Sequence, residues 1–175
     1  LYNMACSNLT AGILDLCNDG FGGIQKIFLA NGPVESFSEI AGVVQSITVG
    51  GSALTPADFF EFEVPRQTST FNEVITATQE NGTVTYQQDI TMIFNQMEAA
   101  KRNQILLMAQ ATTMCAVAED GNGKYWSIGL EFGAYMSAGT ATSGTAYADR
   151  NGYEITISGM EKTPSFEVSS SIVEA

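Results

Sequence analysis

Glu61 and Glu63, in Phe59-Phe-Glu-Phe-Glu-Val64, are the nearest the chain comes to a paired-carboxylate site. Two carboxyls held side by side can divide general-acid and general-base work when their surroundings push their pKa values apart. Strand alternation puts both on one side of a short strand, closed by Pro65, and a solvated or interfacial face explains that pattern more simply. Glu119-Asp120-Gly-Asn122-Gly resembles part of a calcium loop. The other ligand positions and the closing glutamate are missing, however, and Gly and Asn are what a plain turn needs. Cysteines 6, 17 and 115 are odd in number, scattered and without metal-ligand spacing, and read as small buried hydrophobes in a reducing compartment. The chain has no histidine, which excludes Ser-His-Asp, Cys-His and His-metal arrangements. No phosphate-cradling Gly-rich loop follows a strand, and Arg66, Lys101, Arg102 and Arg150 are too dispersed for a polyphosphate site. No catalytic, cofactor-binding or metal residue is assigned, and an enzyme is not expected. Catalysis by Glu61 and Glu63 would need a pocket that the sequence does not reveal.

Composition narrows the alternatives further. At 175 residues the chain suits one domain, 1–175, burying roughly 70% of its unfolded surface. With 45% hydrophobic and only 15% charged residues, disorder is not expected, and a surface so poor in charge is expected to be covered by partners. Seven basic against 19 acidic residues give a net charge of −12. That argues against wrapping nucleic acid and against anionic membrane surfaces. No apolar run is long enough to span a bilayer, and no basic-then-apolar leader opens the chain. Met4-Ala5-Cys6 reads as a candidate true start.

The element around which the rest is expected to organise is a hairpin over 70–94. Asn81-Gly82 sits between two alternating runs, a strong signal for a tight hairpin turn. Pairing Glu80 with Thr83 sets Ala77 opposite Tyr86, Ile75 opposite Gln88 and Phe71 opposite Met92. One face then carries Phe71, Ile75, Ala77, Val84, Tyr86, Ile90, Met92 and Phe94. The other carries Asn72, Val74, Thr76, Thr78, Thr85, Gln87, Asp89 and Thr91. Burying the large apolar members contributes on the order of 10 kcal/mol gross. Glu73 breaks the pattern, falling on the apolar face opposite Ile90.

The flanking chain reads as follows. Residues 1–20 form an N-terminal arm, Ile24–Leu29 a strand ending at Asn31-Gly32-Pro33, and 32–58 a long inter-strand loop with a short apolar patch at Ile40–Val44 and a second short strand at Ser46–Val49. Residues 95–111 form the one real helix, with Asn95 as N-cap and Met97, Ala100, Gln104, Leu107, Met108 and Ala111 as its apolar stripe. Strands at 113–118 and 124–132 flank a turn at 120–123, with Trp126, Ile128, Leu130 and Phe132 on one face. Residues 133–152 are small and polar, a loop or extended chain held by neighbours. A second long hairpin, 153–173, has Tyr153, Ile155, Ile157, Phe166, Val168 and Ile172 on one face. Glu154, Thr156, Ser158, Glu167, Ser169 and Ser171 make the other.

Met4-Ala5-Cys6 with Gly12 and Cys17, Gly22-Gly23-Ile24 entering the first strand, and above all the run from Ser137 through Tyr147-Ala-Asp-Arg-Asn-Gly152 to Lys162 resemble the tail tube proteins of long-tailed bacteriophages. The resemblance covers most of the chain and carries no catalytic fingerprint. It implies a mainly β fold, a β-sandwich or barrel with one flanking helix and two long hairpins that join into an inner barrel on oligomerisation. It implies hexameric rings stacked into a hollow conduit for genome passage, with residues 1–20 and 32–58 contacting adjacent rings. The residues it carries to the lumen are Asn72, Thr76, Thr78, Thr85, Gln87, Asp89, Thr91, Glu154, Thr156, Ser158, Glu167, Ser169 and Ser171, with no cation among them. The implied partners are further copies of the chain and sheath, tape measure and tail terminator proteins. DNA is only transiting cargo, no cofactor is needed, and the location is the virion tail after assembly in the host cytoplasm. Two alternatives stand beside it: the inner tube of a contractile injection or secretion machine, and a surface-exposed β-sandwich binding or adhesion module.

Overall fold

The computed structural model describes residues 9–14 and 19–174, so the expectations for Met4, Cys6 and Cys17 lie outside the described residues. In chain order the strands are β1 (Ile24–Asn31), β2 (Ser36–Ile40), β3 (Val43–Val49), β4 (Ser52–Ala53), β5 (Phe60–Glu63), β6 (Thr70–Thr78), β7 (Thr83–Asn95), β8 (Met114–Asp120), β9 (Tyr125–Ile128), β10 (Ala134–Thr142), β11 (Gly152–Glu161) and β12 (Glu167–Val168). Two helices, α1 (Ala99–Gln110) and the short α2 (Ser170–Val173), complete the described elements with a 3-10 turn at Pro56–Asp58.

The fold is mainly β, of the expected sandwich or barrel type, and is built around the β1–β8 pair. In β1, Ile27 to Ala30 are all buried, and in β8 Met114 to Ala118 are all buried, so both faces of this pair are covered. One side of the pair packs through Ile27, Leu29, Ala116 and Ala118 on Ile90, Met92, Ile155 and Ile157 of β7 and β11. The other side packs through Phe28, Cys115 and Val117 on Val44 and Ile47 of β3 and Ile172 and Val173 of α2. A single pairing, Ala134 with Met114, links the central sheet to the four-stranded sheet β10-β11-β7-β6.

Several expectations are corrected. The 70–94 hairpin forms, but Thr78 pairs with Thr83, Ala77 with Val84, Ile75 with Tyr86 and Phe71 with Ile90. The register is two residues from the expected one, because Gln79 to Gly82 make a longer connection closed by a Gly82 N–H bond to Gln79 O at 3.3 Å. Only Gly82 of the Asn-Gly pair takes positive φ, +61°, so the tight two-residue turn is not adopted. A shift of two leaves every side chain on its expected face.

The expected 153–173 hairpin does not exist. β11 pairs instead with β10, where the small polar stretch takes the second of its two expected forms, extended chain held by a neighbour, and with β7 on its other side. Residues 167–168 join β3 and β9, and Ser169 begins the turn of α2. Within 32–58 the strand expected at Ser46–Val49 forms as part of β3, but the rest is not a loop: β2 and β3 make a hairpin around Ala41 and Gly42, both at positive φ, and β4 extends it. After β9 the chain leaves the sheet at Gly129, so Leu130 enters the second core cluster and Phe132 is exposed rather than sharing a face with Trp126 and Ile128. The helix starts at Ala99, with Glu98 and not Asn95 at its N-cap position. Ile105, Met108 and Ala111 face the core while Leu107 is exposed.

Candidate functional surface

The sheet β10-β11-β7-β6 brings most of the singled-out polar residues onto one surface. Thr76 pairs with Thr85, Asn72 with Asp89, Thr91 with Thr156 and Ser158 with Asp89. Thr78, Gln87 and Glu154 share that face by alternation. None of these except Ser158 is buried. The opposite face is apolar and, at its base, fills the core with Ile90, Met92, Ile155 and Ile157. Towards the hairpin tip the same apolar face is open, with Ile75 and Val84 exposed.

Side-chain bonds stitch the polar surface across its strands. Ser158 Oγ donates to Asp89 Oδ1 at 2.5 Å, Gln87 Nε2 donates to Asp89 Oδ2 at 3.0 Å, and the Ser137 and Ser158 hydroxyls bond at 2.7 Å. Together with Tyr135 and Thr156 these groups line a shallow recess of about 380 Å³. Sequence reasoning missed the β10 contribution, including Tyr135 and Ser137, because a bulge between Met136 and Ala138 breaks the two-residue period there.

Three residues expected on this surface are elsewhere. Glu167 lies on β12 and forms an ion pair with Lys124 at 2.9 Å. Ser169 and Ser171 flank the start of α2 and bond each other at 3.0 Å. Nor is the surface free of cations: Arg150 Nη2 pairs with Glu154 Oε2 at 2.9 Å. Asp89 remains as a carboxylate on this face with no ion pair among the described residues.

The sheet has two long open edges. β6 pairs only with β7, and Tyr135 to Thr142 of β10 pair only with β11. Because each of the three junctions between these strands is antiparallel, β6 and β10 run in opposite directions. Uncovered edges of nine residues on β6 and eight on β10 are templates for pairing with another chain.

Of the other chemical candidates, Glu61 and Asp120 are tied into ion pairs and hydrogen bonds, while Glu63 is exposed. Glu61 Oε1 pairs with Lys26 at 3.0 Å, and Glu174 joins the same ammonium at 3.2 Å. The Glu61 and Glu174 carboxylates hold the Lys26 ammonium well above its usual range. Glu174 is lowered by Lys26 and by the Tyr125 hydroxyl. Asp120 accepts N–H bonds from Asn122 and Lys124 and from the Trp126 indole. Burial acts to raise its pKa, but these bonds outweigh it and the carboxyl lies below its ordinary range. Its lone pairs are thus occupied by the turn itself, and no group of three or more acidic or cysteine side chains suited to a metal occurs among the described residues. No family model matches the chain, and no curated protein matches its sequence.

Proposed function

We propose that the chain is the repeating subunit of a tail tube, the four-stranded sheet of each copy joining those of its neighbours into a closed inner barrel. The observation that carries this reading is the pair of open, oppositely directed edges on β6 and β10. Rotating one copy beside the next sets β6 against β10 as an antiparallel pair, so a ring closes without any change of strand sense. Closure removes both edges. With six copies per ring, the number the family resemblance implies, strands spaced about 4.8 Å apart and tilted about 40° enclose a bore roughly 45–50 Å across between backbones.

Two further features support the reading. The apolar back of the hairpin tip, with Ile75 and Val84, needs a neighbour to cover it. The polar face carries hydroxyls, amides and Asp89, with its one arginine neutralised by Glu154. A wall for passing DNA must not hold it, and unpaired Lys or Arg would trap phosphates through counterion release. No catalytic group is required by this role.

Negative-stain microscopy of the purified full chain tests it. Rings or hollow filaments are expected. A persistent monomer at high protein concentration would favour the alternative of a β-sandwich binding module.

A further inference from the structure

Trp126, the one tryptophan of the chain, stands in the wall of a recess that the tube reading does not use. The recess holds about 290 Å³ and lies where the chain entering β1, the start of β6 and the β8–β9 turn meet. At roughly 30 Å³ per water it has room for about ten waters, which suits an organic head group better than a bare ion. Three aromatic side chains, Phe21, Phe71 and Trp126, contribute to its lining, and Asp120 is the single charged residue there.

These parts are held in place. The Phe21 N–H donates to Asn122 Oδ1 at 2.7 Å, and its ring lies so close over Gly121 that a Cβ there would approach Phe21 Cδ1 to 2.8 Å. Phe71 is half-buried against the core shared by β7 and β11. Trp126 Nε1 donates to Asp120 Oδ2 at 3.1 Å, which keeps the indole beside the carboxylate. Folding does not account for everything in the recess. Phe21 is 67% exposed, and Ser69, also in the lining, has the one buried side-chain hydroxyl without a hydrogen-bond partner among the described residues. A buried polar atom left in that state calls for a partner from outside the chain.

Charge and shape select the ligand. Aromatic faces attract cations, and a guanidinium above all, because it is planar and stacks on rings. Asp120 is ionised at neutral pH, since the bonds it accepts hold its carboxyl below the ordinary range. Its Oδ1 takes two backbone N–H groups, from Asn122 and Lys124, whereas Oδ2 takes only the indole and keeps a lone pair for a further donor. No basic residue lines the recess. The adjoining cavity, which shares Phe21 to Ile24, carries Arg66 and also Lys26, held by Glu61 and Glu174. Among the described residues the one cation over a ring is Lys162 on Phe132, so the three rings here hold none.

We propose that this recess binds a guanidinium group, the head of an arginine side chain presented by another polypeptide, its faces against the rings and its N–H groups on Asp120 Oδ2 and Ser69 Oγ. The site does not rest on the tube reading and would serve a monomer equally.

Because Trp126 is the only tryptophan, its fluorescence reads the site directly. Titrating the full chain with Nα-acetyl-arginine amide should give a saturable change in the millimolar range. Nα-acetyl-citrulline amide, the neutral isostere, should bind at least about tenfold more weakly. Spermidine, a cation with no flat face to stack, should also bind more weakly than the arginine amide. Phe21→Ala, at an exposed position, should weaken arginine amide at least about threefold. Ser69→Ala should weaken it too while leaving the urea midpoint unchanged or higher, since it deletes a buried hydroxyl that has no partner. A serine with a structural role alone would instead lower the midpoint and leave the affinity as it was. The absence of a saturable response, or citrulline amide binding as tightly as arginine amide, overturns the proposal. Spermidine binding as tightly overturns the choice of guanidinium, and a response that survives both substitutions unchanged overturns the site.

Discussion

The carboxylate of Glu73 accepts a hydrogen bond from the backbone N–H of Ser165 at 2.7 Å, joining the central hairpin to a segment near the other end of the chain. The same oxygen accepts from Gln88 Nε2 at 3.0 Å, and Gln88 Oε1 accepts from the Gly129 N–H at 3.3 Å. A glutamate on an otherwise apolar strand face thus has a structural role. It satisfies a backbone donor that would be orphaned where the hairpin crosses the C-terminal segment, and it holds the buried Gln88 in place.

Glu73→Ala leaves the Ser165 N–H and the Gln88 amide without their acceptor. The expected loss is about 2 kcal/mol, or roughly 4–8 °C in Tm for a chain of this size. Glu73→Gln, which keeps one acceptor oxygen, should lose clearly less. Thermal unfolding followed by circular dichroism checks both, and equal losses would mean that the contact contributes through packing alone.

Gly129 ends β9 at φ +69°, and a Cβ there would collide with the backbone of Ala134. Ala134 is the residue through which the four-stranded sheet pairs with β8. Gly129→Ala therefore combines left-handed strain with a clash at the join of the two sheets, and a loss of at least about 2 kcal/mol is expected by urea unfolding. Gly82→Ala, at φ +61° but with open space around it, should be milder, at about 1 kcal/mol.

These residues also show where the sequence was legible. The hairpin over 70–94 could be read because alternation of large apolar and polar side chains is a two-residue signal that survives a two-residue error in register. β10 could not. Ala138, Gly139 and Ala141 are too small to mark a face, and the bulge at Ser137 interrupts the period. In the C-terminal segment the two-residue period stops at Val168: position 170 is Ser and the apolar pair Ile172-Val173 is adjacent, which suits the turn of helix that follows β12 better than a continued strand. The β2–β3 turn was hidden because Ala41, not Asn, takes the positive φ, at 54°. On the polar surface, the sequence indicated residue types but not Arg150, whose pairing with Glu154 depends on how the loop before β11 returns.

Cys115 lies fully buried between the two core clusters' shared strands, and burial pushes its thiol up to about 12. Since the thiolate is the reactive form, Cys115 should resist alkylation at pH 8 in the folded chain and react fully in 6 M guanidinium. Peptide mass spectrometry at this position reads the difference. Ready labelling under native conditions would mean that the central sheet opens far more often than its packing implies.

Glu161 accepts N–H bonds from Glu131 and Phe132 at 2.9 and 3.2 Å, pinning the turn between β9 and β10. Burial raises its pKa above the ordinary 4.5, and these bonds offset that only in part. The folded state therefore holds this proton more tightly than the unfolded one. The corresponding stability is present below pH 4.5 and is lost as pH rises through the folded value. Glu161→Gln removes the titration, so the stability of wild type minus variant should shrink from pH 4.5 towards neutrality. Urea midpoints across that range test the sign, and a difference that widens with pH would show that the carboxylate is held below its ordinary range instead.

Thr76 tests the proposed channel, because its side chain is exposed on the polar face. Its neighbour across the strands, Thr85, is uncharged as well. Thr76→Lys should leave folding within about 0.5 kcal/mol of wild type, as for other exposed substitutions. In an assembled tube it would place a ring of ammonium groups on the inner wall at every level. Each phosphate so contacted releases counterions, so binding of a short DNA duplex should appear in low salt and weaken steeply by 200 mM, the logarithmic slope growing by about 0.9 per contact. Wild-type tubes should retain no duplex at either salt. Co-sedimentation of labelled duplex with filaments measures this directly. If the lysine variant assembles normally and still retains no DNA in low salt, this face does not line a bore that DNA can enter.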